Sequence, residues 1–159
     1  MQGDPKVIEF LNQALTNELT AVNQYWLHYR LLDNWGVDKL AQFERHESID
    51  EMKHADLLSE RILFLDVLPN FQALGRLRIG ESVEEILRAD LELEREAVVQ
   101  LKEAIAHSES VRDYVSRDLF ASILGNEEEH VDTLEKQFDM IERMGLQNYI
   151  QLQSKPAEG

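Results

Sequence analysis

The sequence lacks cysteine and has no long apolar run. Among its 159 residues there are no cysteines and only three prolines. Without cysteine the chain can form neither disulfides nor thiolate metal sites. No apolar stretch approaches the roughly 20 residues needed to cross a bilayer, and the N-terminus shows neither a basic leader nor an apolar segment. We therefore expect a cytoplasmic protein with no membrane partner.

Basic residues are the second shortage. The sequence has 16 Lys and Arg against 31 Asp and Glu, which gives a formal net charge of −15 at pH 7. Such a surface repels the phosphates of nucleic acids and attracts cations. We therefore expect no nucleic acid partner, although a solvated acidic surface that aids solubility explains the same charge.

Helical periodicity is what the sequence has in abundance. Apolar residues recur three and four positions apart, which is the spacing of a helix face buried in a core. They define long helices at 5–34, 38–65, 83–109 and 111–144 and a short one at 146–152. Short connections favour antiparallel pairs, whereas segment 66–81 is long enough to cross the bundle. The sequence predicts one all-α domain over 1–159, a four-helix bundle with one long crossover and a short fifth C-terminal helix.

The apolar stripe of each long helix is interrupted by residues that bind metals. A carboxylate on such a stripe needs a compensating positive charge, because burying it alone is costly. Two helices carry a Glu-x-x-His pair, whose side chains project from one face, and the other two each carry a single glutamate. On the second helix the stripe reads Leu40, Phe43, Glu47, Glu51, His54, Leu58 and Leu65. The six candidate ligands are Glu18, Glu51, His54, Glu94, Glu127 and His130.

An internal repeat supports a paired site. The displacement that lays Glu18 on Glu94 also lays Glu51 on Glu127 and His54 on His130. Four carboxylates and two neutral imidazoles are balanced by two divalent ions, and such ligands suit iron, manganese or zinc. The sequence therefore predicts a dinuclear metal site. The alternative is a metal-free bundle with buried Glu–His hydrogen bonds.

Several local segments resemble the bacterioferritins, a ferritin-like family, and the resemblance extends over essentially the whole chain. Some of these segments surround candidate ligands, and others lie nearer the helix ends. The matching segments are Asn17-Glu18-Leu19, Asn23-Gln24-Tyr25, His46 to Asp56, Arg61 to Leu65, Asp113 to Asp118, and Met144 to Tyr149.

The resemblance implies a ferritin-like fold and a function in iron storage and detoxification. It implies a homo-oligomer of 24 subunits, built from two-fold dimers, around a ferric mineral. Each subunit would act as a ferroxidase that oxidises Fe(II) to Fe(III) with dioxygen at two iron ions. Glu51 and Glu127 would bridge the irons. Glu18 with His54, and Glu94 with His130, would be the terminal ligands.

Met52 follows Glu51 and therefore points about 100° away from the predicted site. Taken alone, it is a surface or interface methionine. The resemblance implies instead that Met52 is an axial ligand of a b-type haem, with one haem per subunit pair. Such a haem would assist iron release, with a small ferredoxin as electron donor.

Other residues give weaker signals. Tyr25 lies on the core stripe near Glu18 and is either a packing residue or an electron donor. His46 and Asp50 share a helix face and either bind a further iron at the shell's inner surface or form a solvated polar face. Two histidines, His28 and His107, are expected to be structural or surface groups. Arg45 and Thr133 stand where relatives often have aromatic residues, so auxiliary electron transfer is not predicted from them.

Two other functions are compatible with a dinuclear site. A dinuclear-iron oxygenase or peroxidase needs a substrate pocket, and this chain has few residues beyond the bundle. A non-catalytic metal-binding shell protein needs none. A DNA-condensing mini-ferritin is disfavoured, because the site is complete within one subunit and the chain has no basic tail.

Overall fold

The structure is a computed structural model that describes residues 1–155. Within that range it has five helices and no strand, which confirms the predicted all-α bundle. The helices are α1 (Pro5–Asn34), α2 (Asp38–Phe64), α3 (Val83–Ser110), α4 (Tyr114–Met144) and α5 (Leu146–Gln153). No helix among these residues has the length and apolar character that a membrane span requires.

Side-chain caps define where three of the helices begin. Asp4 accepts hydrogen bonds from the backbone N–H groups of Lys6 and Val7, both at 3.0 Å, which places the start of α1 at Pro5. Ser82 accepts from the N–H of Glu85 at 3.2 Å and begins α3. The fourth helix begins at Tyr114 rather than at 111.

The later start of α4 follows from the turn that precedes it. Arg112 adopts a positive φ of 64°, which a helix does not accommodate. Asp113 then caps the new helix, because its side chain accepts from the N–H of Ser116 at 3.0 Å. α3 extends one residue beyond the predicted 109, to Ser110.

The long connection between α2 and α3 runs beside α1. Backbone N–H groups of Asn70, Gly75, Arg78 and Gly80 donate in turn to side chains of α1 that lie progressively closer to its C-terminal end. Their acceptors are Asn12, Thr20, Gln24 and His28, at 2.8–3.1 Å. The connection therefore returns the chain to the end of the bundle where α2 began, so that α2 and α3 run parallel.

Two apolar clusters occupy the two ends of the bundle. One contains Leu11, Leu15, Leu58 and Phe120 among others. The other includes Leu40 and further buried residues of α1, α3, α4 and α5. Burial of each such side chain contributes about 1.5–3 kcal/mol to folding. Between the two clusters, at the middle of the bundle, the buried side chains are polar.

Candidate metal centre

The six candidate ligands come together at the middle of the bundle, with contributions from all four long helices. Each is at most 8% exposed. Their ligand atoms form two groups, in each of which the atoms lie within 4.8 Å of one another. Glu51 and Glu127 belong to both groups. The two groups are Glu18, Glu51, His54 and Glu127, and Glu51, Glu94, Glu127 and His130.

The two imidazoles direct the same nitrogen at the shared carboxylates. His54 Nδ1 lies 3.1 Å from Glu127 and 3.5 Å from Glu18. His130 Nδ1 lies 3.2 Å from Glu51 and 3.5 Å from Glu94. Neither Nδ1 has a hydrogen-bond partner in suitable geometry, and each of the four glutamates has at least one buried oxygen without a donor. Buried atoms of this kind call for a partner, and cations between them satisfy both nitrogens and carboxylates.

The electrostatics of the centre also favour bound cations. Burial, followed by the negative charge of neighbouring glutamates, raises the pKa of Glu18, Glu51 and Glu94 well above the ordinary range. Burial and Glu51 likewise raise the pKa of Glu127. Without metal these carboxyls therefore keep their protons to a higher pH than an ordinary glutamate does. A divalent ion removes the repulsion and displaces those protons.

The pKa values of the two histidines are raised as well, but by the neighbouring carboxylates and against the effect of burial. Burial alone lowers the pKa of His54, but contact with Glu127 and the charge of Glu51 raise it above its ordinary value. Burial also opposes the charge on His130, yet Glu47, Glu51 and Glu94 raise its pKa far above the ordinary range. Oxygen and imidazole donors together fit a borderline divalent metal such as Fe(II). The assignment of each residue as a bridging or terminal ligand stays a prediction.

Two residues beside the histidines had no role in the sequence-based prediction. Glu47 is 5% exposed, and its Oε2 lies 2.8 Å from His130 Nε2. Asn126 Nδ2 lies 3.1 Å from His54 Nε2. Glu47 could have been found from its place on the apolar stripe, one turn before Glu51. Asn126 lies outside the stripe, so only the folded structure shows it.

Tyr25 is buried against the centre. Its hydroxyl donates to Glu94 Oε1 at 2.6 Å. Burial, followed by the charge of Glu94, raises the pKa of this phenol well above 10.0, so it keeps its proton. Tyr25 therefore holds one candidate ligand in position, and its role as an electron donor stays a prediction.

A cavity of about 270 Å³ connects the two histidines to the outside of the α2–α4 face. Asp50, Lys53, Asn126 and Glu129 are among the residues that line it. Asp50 Oδ2 also lies 3.3 Å from the exposed His46 Nε2. Of the predicted His46–Asp50 pair, Asp50 therefore lines the cavity, and the binding of iron by the pair stays a prediction.

A second polar cluster is buried between α1, α2 and α3. His28 Nδ1 lies 2.9 Å from Asp90 Oδ1, and His28 Nε2 accepts from the N–H of Gly80 at 3.0 Å. Gln24 donates to the same Asp90 oxygen at 3.0 Å. Glu44 completes the cluster, and burial followed by the charge of Asp90 raises the pKa of Glu44 well above its ordinary value. His28 is thus a fully buried structural group.

Gly80 is required for this arrangement. A Cβ added at Gly80 would lie 2.3 Å from the backbone nitrogen of Ile86, so no larger residue fits. The backbone N–H of Gly80 makes Nε2 of His28 an acceptor, which places the imidazole proton on Nδ1, toward Asp90. The other unassigned histidine, His107, lies in the last turn of α3, and its Nε2 is 2.8 Å from Asp4 Oδ2.

Met52 lies away from the centre, as its position predicts. It is 45% exposed. Leu19, Val22 and Ile49 are half-buried, and Trp26 is 41% exposed. The guanidinium of Arg45 lies 5.6 Å from the Trp26 ring centroid. Thr133 is half-buried, and nothing in the structure assigns it a role.

Comparison with known proteins gives consistent matches over the chain. A family model of the ferritin-like domain matches residues 8–144. The bacterioferritin of Brucella melitensis is 51% identical over 158 residues, which cover 99% of this chain and 98% of that protein. The bacterioferritin of Streptomyces coelicolor is 51% identical over 150 residues, covering 94% and 90%. The bacterioferritin of Rhodobacter capsulatus is 48% identical over 158 residues, covering 99% and 98%.

Proposed function

Since this chain belongs to the bacterioferritins, an iron-storage family built on the ferritin-like domain, we propose that it is a ferroxidase that oxidises Fe(II) with dioxygen. The single observation that supports this most directly is the convergence of four buried carboxylates and two imidazole nitrogens on one space. No Lys or Arg side chain forms an ion pair with any of the six among residues 1–155. Two Fe(II) ions, bound as substrate, supply the missing positive charge.

The residues of the centre have separate tasks in this proposal. Glu51 and Glu127, which belong to both ligand groups, hold the two irons close enough to give up one electron each to the same dioxygen. His54 and His130 lose the Nδ1 proton when iron binds. The glutamates whose pKa values are raised lose their protons as well. The buried site can then accept the four positive charges of two Fe(II) ions. Tyr25 keeps Glu94 oriented by its 2.6 Å hydrogen bond and stands near enough to serve as an electron donor.

The cavity on the α2–α4 face supplies a route for iron. Its lining includes both histidines and Asp50, and acidic residues attract Fe(II). In a closed shell the ferric product would pass along the same route to the mineral. His46 and Asp50 at the outer end would hold a further iron on that path.

Assembly into a shell of 24 copies is part of the proposal. Several large apolar side chains are exposed in the single chain, among them Leu68 at 84%, Val115 at 63% and Leu63 at 57%. Exposed Leu57, Phe64 and Val115 line one shared cavity, and contiguous exposed apolar surface is typical of protein–protein interfaces. We expect these side chains to be covered by neighbouring subunits of the homo-oligomer.

A b-type haem fits the surface around Met52. Met52 is 45% exposed, and Ile49, one turn earlier on α2, is an apolar residue that would suit the face of a porphyrin. Met52 of two copies would hold one haem across a two-fold axis. When bound, the haem supplies a one-electron carrier through which a small ferredoxin could reduce stored iron for release.

The test is stopped-flow oxidation of Fe(II) by dioxygen, titrated against metal-free protein. We expect a fast phase whose amplitude saturates at two irons per chain. Oxidation no faster than in buffer alone would overturn the catalytic proposal and leave a non-catalytic metal-binding shell. A fast phase that appears only when an organic substrate is added would indicate an oxygenase or peroxidase instead.

A further inference from the structure

The two histidines of the centre have unlike partners on the side away from the metals. If Nδ1 binds metal, the proton of each neutral imidazole must be on Nε2, and the group facing Nε2 must accept it. His130 Nε2 faces the carboxylate of Glu47 at 2.8 Å. His54 Nε2 faces the amide nitrogen of Asn126 at 3.1 Å.

Glu47 already suits a metal-bound His130. A carboxylate oxygen can only accept, so its contact with Nε2 keeps a proton there and leaves Nδ1 for the metal. A carboxylate in this position also makes the imidazole a stronger donor to the metal. The half of the centre that contains Glu94 and His130 therefore has the acceptor for Nε2–H in place before a cation arrives, and only the Nδ1 proton has to leave.

Asn126 does not prepare His54 in the same way. Its amide nitrogen faces Nε2, so the amide donates and Nε2 is the acceptor, which places the proton on Nδ1. Metal binding at Nδ1 then requires the proton to leave and the amide to turn so that Oδ1 faces Nε2–H. Even after that change the acceptor is neutral, which makes His54 a weaker donor than His130.

The internal repeat shows that this difference lies in the sequence itself. The displacement that lays His54 on His130 lays Asp50 on Asn126 and Glu47 on Ile123. Glu47, Asp50 and His130 form one group of close ligand atoms. The equivalent positions around His54 are the neutral Asn126 and the apolar Ile123, which is 1% exposed and belongs to the apolar core. One half of the centre thus has two nearby carboxylates that the other lacks.

We propose that the two halves of the centre bind metal unequally and in a fixed order, with the Glu94–His130 half filled before the Glu18–His54 half. This inference rests on the proposed function, since it concerns the same centre. It adds that Glu47 is a positioning residue for the first metal. It also implies that a chain with one metal bound is a defined state with its ion at His130.

The experiment is a titration of metal-free protein with Co(II) at one pH, followed by visible absorption and by calorimetry. Wild-type protein should show two steps whose dissociation constants differ at least about tenfold, because loss of an outer partner typically costs 10–100-fold in metal affinity. Glu47→Gln keeps the size of the side chain and removes its charge. It should weaken the tighter step by about 10–100-fold and leave the weaker step unchanged.

A matched variant tests the other half. Asn126→Asp gives His54 the carboxylate that His130 has, so it should tighten the weaker step and leave the tighter one unchanged. His54→Ala should retain the tight step and His130→Ala should lose it, which assigns each step to its half. Thermal unfolding of each metal-free variant shows that the fold is intact, and Asn126→Asp remains informative if Glu47→Gln does not fold.

Each outcome has a definite meaning. Two Co(II) that bind with equal affinity, or a ratio that neither Glu47→Gln nor Asn126→Asp changes, would overturn the order of filling while leaving the ferroxidase proposal intact. If Glu47→Gln weakened the lower-affinity step instead, Glu47 would act on the Glu18–His54 half. That result would overturn the inference as well. No Co(II) binding to wild type would remove the dinuclear centre and this inference together.

Discussion

The bundle contains two buried clusters of carboxylates and imidazoles, and the histidines of the two clusters have different partners. In the metal centre four glutamates and two histidines surround atoms that have no hydrogen-bond partner. In the cluster of Gln24, His28, Glu44 and Asp90, the side-chain amide of Gln24 donates to Asp90 Oδ1 and the N–H of Gly80 donates to His28, while both oxygens of Glu44 and Asp90 Oδ2 have no partner. The comparison shows that burial of carboxylates and imidazoles does not define a metal site. What separates the two clusters is the number of ring nitrogens without a protein partner, which is one on each histidine of the metal centre and none on His28.

The two clusters also differ in the freedom of their histidines. The N–H of Gly80 holds His28 with its proton on Nδ1, so Nδ1 is not free to bind a metal, although His28, Glu44 and Asp90 lie within ligand distance of one another. His54 and His130 direct Nδ1 at the shared carboxylates. We therefore expect a metal in one cluster and a structural hydrogen-bond network in the other.

The largest expected effect comes from a neutral substitution in the metal centre. Glu51→Gln should slow the fast phase of Fe(II) oxidation at least about 100-fold, because even an outer partner of a ligand is worth 10–100-fold. The same substitution should raise the free energy of unfolding of the metal-free protein by roughly 1 kcal/mol or more, since it removes a carboxyl whose ionisation burial opposes. Stopped-flow kinetics and urea unfolding at fixed protein concentration measure the two effects. A metal-free variant less stable than wild type would contradict this view of the centre.

Loss of a carboxylate from the second cluster should have the opposite sign. Asp90→Ala leaves the Nδ1–H of His28 and the amide of Gln24 without an acceptor, at a cost of about 1–3 kcal/mol each. We expect the free energy of unfolding to fall by about 3 kcal/mol in urea titrations. Asp90→Asn is the control: it keeps an acceptor oxygen in place and should lose clearly less. Equal losses for the two variants would show that the hydrogen bonds to Asp90 are not what stabilises the cluster.

The metal-free and metal-loaded states of the centre should also differ in how the stability of the protein depends on pH. In the metal-free fold the pKa values of Glu18, Glu51, Glu94, Glu127, His54 and His130 are all raised. The folded protein then binds more protons than the unfolded chain above pH 4.5, so its stability falls as the pH rises. The slope is about 1.4 kcal/mol per pH unit for each extra proton held.

Thermal unfolding between pH 5 and 9 checks this. The Tm of metal-free protein should fall with rising pH, whereas metal-loaded protein, whose ligands have lost their protons, should vary much less. The lowered pKa values of Asp4 and Asp113 act in the opposite direction but only below about pH 4, because their ordinary value is 3.8. A metal-free Tm that rises between pH 5 and 9 would contradict the assignment.

The predictions of the fold and of the six inward-facing residues came from helical period, together with the connection lengths and the internal repeat. A spacing of three or four residues determines which side chains share a face, so Glu51 and His54 can be assigned to the core from their spacing to the apolar residues around them. The internal repeat then relates the two halves. The predicted start of α4 was wrong by a few residues, because the positive φ of Arg112 is set by the turn and has no glycine to mark it.

The second polar cluster and the partners of the histidines could be predicted only in part. Glu44 and Asp90 lie on their apolar stripes at helical spacing from Leu40 and Leu87, so their burial was legible, but their contact depends on how α2 and α3 pack. The proton position on His28 depends on a backbone N–H from the crossover, and no spacing rule relates Gly80 to His28. Asn126 contacts His54 across two helices from outside the stripe. These contacts depend on packing rather than period.

The crossover along α1 has a consequence for the order in which the protein is built. α1 with α2, and α3 with α4, are local hairpins that fold quickly because their contacts are close in sequence. The first hairpin contains Glu18, Glu51 and His54, and the second contains the other three ligands, so neither has a complete centre. Docking of the hairpins closes the long loop and creates the centre in one event. A metal that binds the centre would stabilise only the docked state, so it would favour fully assembled chains over half-assembled ones.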